Sequence, residues 1–277
     1  MANFVGAFGV PHTPIFAQLV DREGPESETG KLFAVMRREL VSAGPNVIII
    51  FDTDHLNTFF LDNLPMLAVG VAATFRGPND EPPALPRRVV PSHPALADHI
   101  RRCGILDGFD LALVQEFEVD HSIMIPLHFL TPAMDIPVIP IFLNGHVEPL
   151  PPAQRALAFG RSVRAAIDSF EGGQRVAVIG SGSFSLEVYG PRIAPGMNFG
   201  VPDPEWAKKV HAYLRDGDIA ALVAETSAER LASAGNVAGE LLNWIAMIGV
   251  AGNRPATWIC LQERFGHAYG IWPEVAS

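Results

Sequence analysis

Cysteine is nearly missing from this chain. Cys103 and Cys260 are the only two among 277 residues, and neither sits in a Cys-x-x-Cys pair. That excludes a disulfide framework and makes a reducing compartment the simpler setting. Basic residues are also scarce: 20 Lys and Arg stand against 30 Asp and Glu, a formal net charge of -10. A nucleic-acid partner is excluded on that ground, because phosphate recognition needs clustered Lys and Arg. No uninterrupted apolar run is long enough to span a bilayer, so no membrane association is expected. The first residues, Met1 to Phe16, are apolar but lack a basic leading region and are broken by Pro11, His12 and Pro14. They do not read as a signal peptide, and a cytoplasmic location is expected. Internal repeats and low-complexity tracts are absent as well.

What is present suits a large buried core, since 48% of the residues are apolar. Val47–Phe51 is a short, β-branched, continuously apolar segment, as expected of a strand covered on both faces. Pro137–Leu143, Val176–Ile179 and Leu111–Val114 read the same way. Between them, Lys31–Ser42, Pro94–Cys103, Ala153–Ser169, Pro204–Leu214 and Val237–Ile248 have helical spacing and good helix formers. Strands alternating with helices imply an α/β fold, a layered central sheet flanked by helices, here as one catalytic domain over 1–277. The Pro-rich stretch Arg76–Pro91 reads as a surface loop rather than a linker. In open α/β sheets ligands gather at the carboxyl ends of strands, so the polar residues that end these segments are the first place to look for a site.

Local context separates the nine histidines. His12 follows the apolar run Phe4–Val10 and lies between Pro11 and Pro14; His55 ends a buried strand. His121 follows an acidic stretch ending in Asp120, and His267 lies in the Gly-rich run Phe265–Gly270. A strand-end histidine is suited to bind a metal through one ring nitrogen while an acceptor holds the other, although each alone is also consistent with a structural hydrogen bond. Glu240 stands inside the apolar run Val237–Ile248. A charge there is costly unless it is paired, bound to a cation or on an exposed face. Gly180-Ser181-Gly182-Ser183 lacks both the dinucleotide fingerprint and the Gly-Lys-Ser/Thr of a phosphate loop, so it reads as a tight turn at the rim of a site. Two histidines and a carboxylate would leave open positions on a metal, but these residues are too far apart in sequence for spacing to assemble them.

At these residues the chain resembles the class III extradiol ring-cleavage dioxygenases, in particular the catalytic β subunit of protocatechuate 4,5-dioxygenase. The resemblance runs over nearly the whole sequence. Pro11-His12-Thr13-Pro14 is similar to the family's N-terminal Ser-His-x-Pro, and Asp54-His55 to its Asn-Asp-His. Glu240-Leu241-Leu242-Asn243-Trp244 resembles the Glu-x-x-x-Trp helix. The resemblance implies that His12, His55 and Glu240 hold Fe(II), and that O2 and a small aromatic substrate with two adjacent ring donors are the reactants. Val119-Asp120-His121-Ser122 followed by Pro126-Leu127 resembles the segment whose histidine lines the substrate pocket. Gly190-Pro191-Arg192 and Thr74-Phe75 have counterparts too. Many relatives self-associate, so a homo-oligomer is expected, with a small α-type subunit as a further partner.

The resemblance breaks at one position. Relatives read Gly-(Thr/Ser)-Gly-Gly-(Leu/Met)-Ser-His where this chain has Gly180 to Leu186, and Leu186 replaces the acid/base histidine. His121, acting alone or with His267, Glu187 or Tyr189, is therefore expected to manage the proton, His267 being the first of the three. Ser183 and Arg192 are expected to touch the substrate, Arg192 by pairing with a substrate carboxylate. Two other readings stay open: a metal-retaining but silent binding or partner subunit, and a zinc hydrolase using the same ligands.

Overall fold

The computed structural model describes residues 1–274. The chain begins with β1 (Asn3–Val10), α1 (Phe16–Glu23), α2 (Glu28–Ala43), β2 (Val47–Asp52) and β3 (Leu67–Gly70). There follow β4 (Thr74–Gly77), β5 (Arg88–Pro91), α3 (Pro94–Leu106), β6 (Leu111–Val114), α4 (His121–Leu130) and β7 (Val138–Leu143). The second half contains α5 (Ala153–Ser169), β8 (Arg175–Ser181), β9 (Glu187–Val188), β10 (Phe199–Gly200), α6 (Pro204–Asp216), α7 (Ile219–Glu225) and α8 (Ala228–Ala234). A 3-10 turn, Ala238–Glu240, leads into α9 (Leu241–Ala251), and β11 (Trp258–Gln262) and β12 (His267–Pro273) close the described chain.

Eight strands form one sheet in the order β11-β12-β1-β8-β2-β7-β3-β6. Its centre, β1-β8-β2-β7, is parallel throughout. The four strands therefore end along one edge, at Val10, Ser181, Asp52 and Leu143. β12 is antiparallel to both β1 and β11, and β3 is antiparallel to β7. This is the α/β architecture expected from the alternation of elements.

Side chains of β2 leave the sheet on alternate sides, as the period of a strand requires. Ile49 and Phe51 join the core under α3, α5 and α9, whereas Ile48 and Ile50 join the core under α2 and α4. Both faces are covered, which is why the strand reads as unbroken apolar sequence. Local signals start and stop the helices: Ser27 accepts from the Gly30 N–H ahead of α2, and Gly44, at φ 58°, ends it in the left-handed region. α9 is buried along its whole length and crosses α5 closely. A Cβ on Gly160 would lie 1.9 Å from the Ala246 carbonyl oxygen, and one on Gly249 would lie 2.4 Å from that of Leu157. Only glycine permits this approach.

Two sequence expectations change. Glu240 does not lie within a helix that starts at Val237; it ends the 3-10 turn and stands at the N-terminus of α9. The positive end of the helix dipole there favours an ionised carboxylate. The Pro-rich stretch is not simply a surface loop, because its ends form a hairpin, β4 with β5, and Asp80 between them reaches the interior. The Gly-rich run around His267 is a buried strand. Among the described residues no helix is long and apolar enough to cross a membrane.

Candidate metal centre

The parallel centre of the sheet delivers His12, Ser183, His55 and His146 to one edge, each within three residues of a strand end. Glu240 is supplied by the start of α9. Nε2 of His12 is 3.2 Å and Nε2 of His55 3.3 Å from the same atom, Glu240 Oε1. Adjacent ligands at about 2.1 Å from an octahedral metal stand about 3 Å apart, so each histidine lies at the separation from Glu240 that neighbouring ligands would have.

The other nitrogen of each histidine is occupied. His12 Nδ1 is 2.8 Å from Ser181 Oγ, and that hydroxyl donates its own proton to the Ser122 carbonyl at 2.7 Å. It must therefore accept from His12 Nδ1–H. His55 Nδ1 is 2.9 Å from Asp120 Oδ2, which also accepts the His55 main-chain N–H at 2.9 Å. Both rings thus commit Nδ1–H and turn Nε2 toward Glu240. Burial would lower the pKa of His55, but Asp120 and Glu240 raise it well above the ordinary value, so a cation at its Nε2 displaces a proton. Asp120 caps α4 as well, accepting the Ser122 N–H at 2.8 Å. Burial alone would raise its pKa, but the His55 imidazole beside it, with its hydrogen bond, holds Asp120 well below the ordinary carboxylate range. Glu240 is likewise fully buried; His12 and His55 outweigh that burial and hold it well below its ordinary value. Oε2 of Glu240 accepts the Ser183 N–H at 3.1 Å. The buried anion, the two fixed imidazoles and their spacing fit a divalent metal.

Next to the donors is a cavity of about 240 Å³. His12, His55, His121, Ser183 and Glu240 line it on the metal side, and Leu186, Val188, Phe199, Val237, Pro14 and Ile15 form its apolar wall. A wider, shallower depression of about 770 Å³ beside Arg76 and Glu118 contains none of the three donors.

His121 opens α4, and its ring stacks on that of His55 with centroids 4.3 Å apart. Its Nδ1 hydrogen-bonds to Asp80. Burial, helped by His55, lowers its pKa and keeps it neutral near pH 7. His267 does not line the cavity. Its Nε2 meets Thr13 Oγ1 at 2.9 Å, and its ring lies between Phe265 and Phe16, one layer behind the wall. Burial pushes its pKa down to about 3.

Arg192, expected to meet a substrate carboxylate, is held elsewhere. Its guanidinium pairs with buried Glu187 and donates to the carbonyls of Ala232 at 3.1 Å and Ser233 at 2.7 Å. It is not a residue of the cavity wall. The physical reason is that Glu187 is 1% exposed and takes the nearest cation as its partner. That leaves Glu187 engaged too, while Tyr189 sits on the rim, 80% exposed.

Sequence reading did not single out Asp80, Asp120 or His146. Asp120 had a signal, an Asp two residues ahead of a serine at a helix start. Asp80 had none, because only the folded hairpin brings it to His121. His146 lies three residues beyond the end of β7, and its ring centroid is 4.8 Å from that of His55. Donor atoms of His55, His146 and Glu240 all lie within 4.8 Å of one another, and His146 Nε2 is buried with no hydrogen-bond partner. Burial, with His55 nearby, lowers the pKa of His146 to about 4.

Residues 6–268 match the family described as the catalytic LigB subunit of aromatic ring-opening dioxygenase. The chain is 32% identical over 206 residues to a 2,3-dihydroxyphenylpropionate/2,3-dihydroxicinnamic acid 1,2-dioxygenase of Klebsiella pneumoniae, covering 74% of this chain and 59% of that one. A protein of the same name from Paraburkholderia xenovorans is 28% identical over 276 residues, covering 86% and 85%. The chain thus spans about three fifths of the length of the Klebsiella relative but most of the Paraburkholderia one. Among solved structures, an uncharacterized protein from Escherichia coli K12 superposes with a TM-score of 0.59 at 16% identity, covering 96% of this chain and 98% of that one. That likeness speaks for the fold alone.

Proposed function

The chain belongs to the LigB family of catalytic subunits of aromatic ring-opening dioxygenases, and on that premise we propose that it opens the ring of a catecholic substrate with O2, using Fe(II) held by His12, His55 and Glu240. The observation that carries this reading is the convergence of two Nε2 atoms on one oxygen of Glu240, beside a cavity large enough for a single ring. Bound Fe(II) would supply open positions for two adjacent ring oxygens and for O2, and a route for electrons between them. In the overall reaction a ring carbon–carbon bond beside the diol breaks and both atoms of O2 enter the product.

The protein's own residues have narrower tasks. Ser181 and Asp120 fix the two imidazoles, and the Ser183 N–H with the start of α9 fixes the carboxylate. The apolar wall excludes water from the ring. Because His121 commits Nδ1 to Asp80, Nε2 is its atom for taking a substrate hydroxyl proton and returning it later. Leu186 can do neither, His267 stands behind Thr13, Glu187 is engaged by Arg192, and Tyr189 is 80% exposed at the cavity rim. His121 therefore carries the proton work alone. A general acid or base contributes about 10²–10⁴-fold, so this enzyme relies heavily on that one ring.

The test is anaerobic Fe(II) loading followed by O2 uptake with catechols and 2-aminophenol. Oxygen consumption with a yellow ring-opened product is expected, and it should be lost in His121→Ala. Tight iron binding without turnover, reversed by Leu186→His, would instead favour a silent relative.

A further inference from the structure

Resting on the ring-opening reading, we propose that the substrate is a catechol bearing a short, uncharged, apolar substituent, and that the site discriminates against catechols carrying a carboxylate. The cavity wall beyond the metal donors carries the argument. Leu186, Val188, Phe199, Val237 and Ile15 form it, and the polar groups at its edge, Thr13, Asn198 and Tyr189, are neutral. Among the described residues that line the cavity there is no Lys or Arg.

Arg192 cannot fill that gap without giving up Glu187 and two helix-end carbonyls, and leaving Glu187 buried without its cation. Nor do the histidines offer a free partner for an incoming carboxylate. Those lining the cavity each already have a carboxylate partner: His12 and His55 face Glu240, and His121 hydrogen-bonds to Asp80, while His267 is not part of the cavity lining. The anions already gathered around the centre are Asp80, Asp120 and Glu240. With the metal engaged by Glu240 and the two ring oxygens, a substituent carboxylate lying against the apolar wall would meet no counter-ion there and would lose its hydration, which is strongly unfavourable.

Leu186 sharpens the point. Where relatives of the resembling family carry a histidine, this chain places an aliphatic side chain that is 6% exposed and part of the wall. The cavity of about 240 Å³ lies just below the usual range for ligand pockets of about 300–1,000 Å³, so the substituent is limited to a few carbons. The relatives from Klebsiella and Paraburkholderia are named for acids, and the prediction sets this chain apart from them.

A matched pair tests the proposal: 3-propylcatechol and 3-(2,3-dihydroxyphenyl)propionate differ mainly in whether the side chain ends in a methyl or a carboxylate. With Fe(II)-loaded protein, kcat/KM for the alkyl catechol is expected to exceed that for the acid by about 100-fold or more. Anaerobic equilibrium titration reads binding separately and is expected to show the same order. Equal or better use and binding of the acid would overturn the proposal. Tighter binding of the alkyl catechol with turnover of neither would uphold it and contradict only the ring-opening reading. Val188→Arg, which puts a cation into the apolar wall, is expected to narrow the ratio at least about tenfold. An unchanged ratio in a Val188→Arg protein with wild-type melting temperature and iron content would overturn the assignment of this wall to the substituent.

Discussion

His12 Nε2 lies 3.2 Å from Glu240 Oε1, although 228 residues separate the two in sequence. β1 brings one to the sheet edge and the start of α9 brings the other, so the metal centre depends on packing of the two ends of the chain.

The hold of Asp120 on His55 predicts a metal-affinity defect separable from folding. Asp120→Asn keeps an acceptor for the Ser122 N–H at the start of α4 but removes the anion from His55 Nδ1. Chelator competition is expected to show metal affinity about 10–100-fold weaker. The melting temperature should fall far less than for Asp120→Ala, which also loses the cap, worth about 1 kcal/mol. Wild-type affinity in Asp120→Asn would refute the role given to this carboxylate.

Close approach of α5 and α9 predicts a coupled loss. Gly249→Ala places a methyl against the Leu157 carbonyl and is expected to destabilise the fold by about 1–3 kcal/mol, read by denaturant unfolding. Because α9 carries Glu240 at its start, metal affinity should fall in the same variant. A stability loss with intact affinity would show that the two ends of α9 move independently.

His267 predicts an acid-sensitive fold. Its pKa is about 3 in the folded protein and near 6.5 when unfolded, so between those values the unfolded chain binds more protons. Its contribution is fully present above about pH 6.5 and is lost as pH falls toward 3, on the order of 3–5 kcal/mol in all. His267→Asn, which does not titrate there, is expected to flatten the stability profile across that window. An unchanged slope would remove His267 from the account.

Much of the sheet was legible because its central strands are buried on both faces. β2, β7 and β8 announce themselves as short apolar runs rich in Val and Ile, and the edge strand β6 as a shorter one, Leu111–Val114. β12 did not, since Gly266 and Gly270 with an intervening tyrosine look like loop sequence. Its glycine serves packing: Gly270 pairs with Gly9 of β1, and a Cβ on Gly9 would lie 2.2 Å from the Trp244 ring. At the centre, His12, His55, Glu240 and His121 stood out through the resemblance, and the structure brings all four to one cavity. Arg192 misled because a sequence does not reveal that buried Glu187, five residues earlier, takes its charge. Asp80 and His146 were hidden for the same reason in reverse: only tertiary contacts bring them to the histidines.

Metal binding at the triad is the claim on which the account turns, and anaerobic titration of metal-free protein with Fe(II) tests it most directly. One equivalent is expected to bind wild type, with affinity lost in His12→Ala, His55→Ala and Glu240→Ala and retained in Arg192→Ala, whose guanidinium lies outside the cavity wall. No binding in wild type, or stoichiometric binding that survives all three triad substitutions, would contradict it.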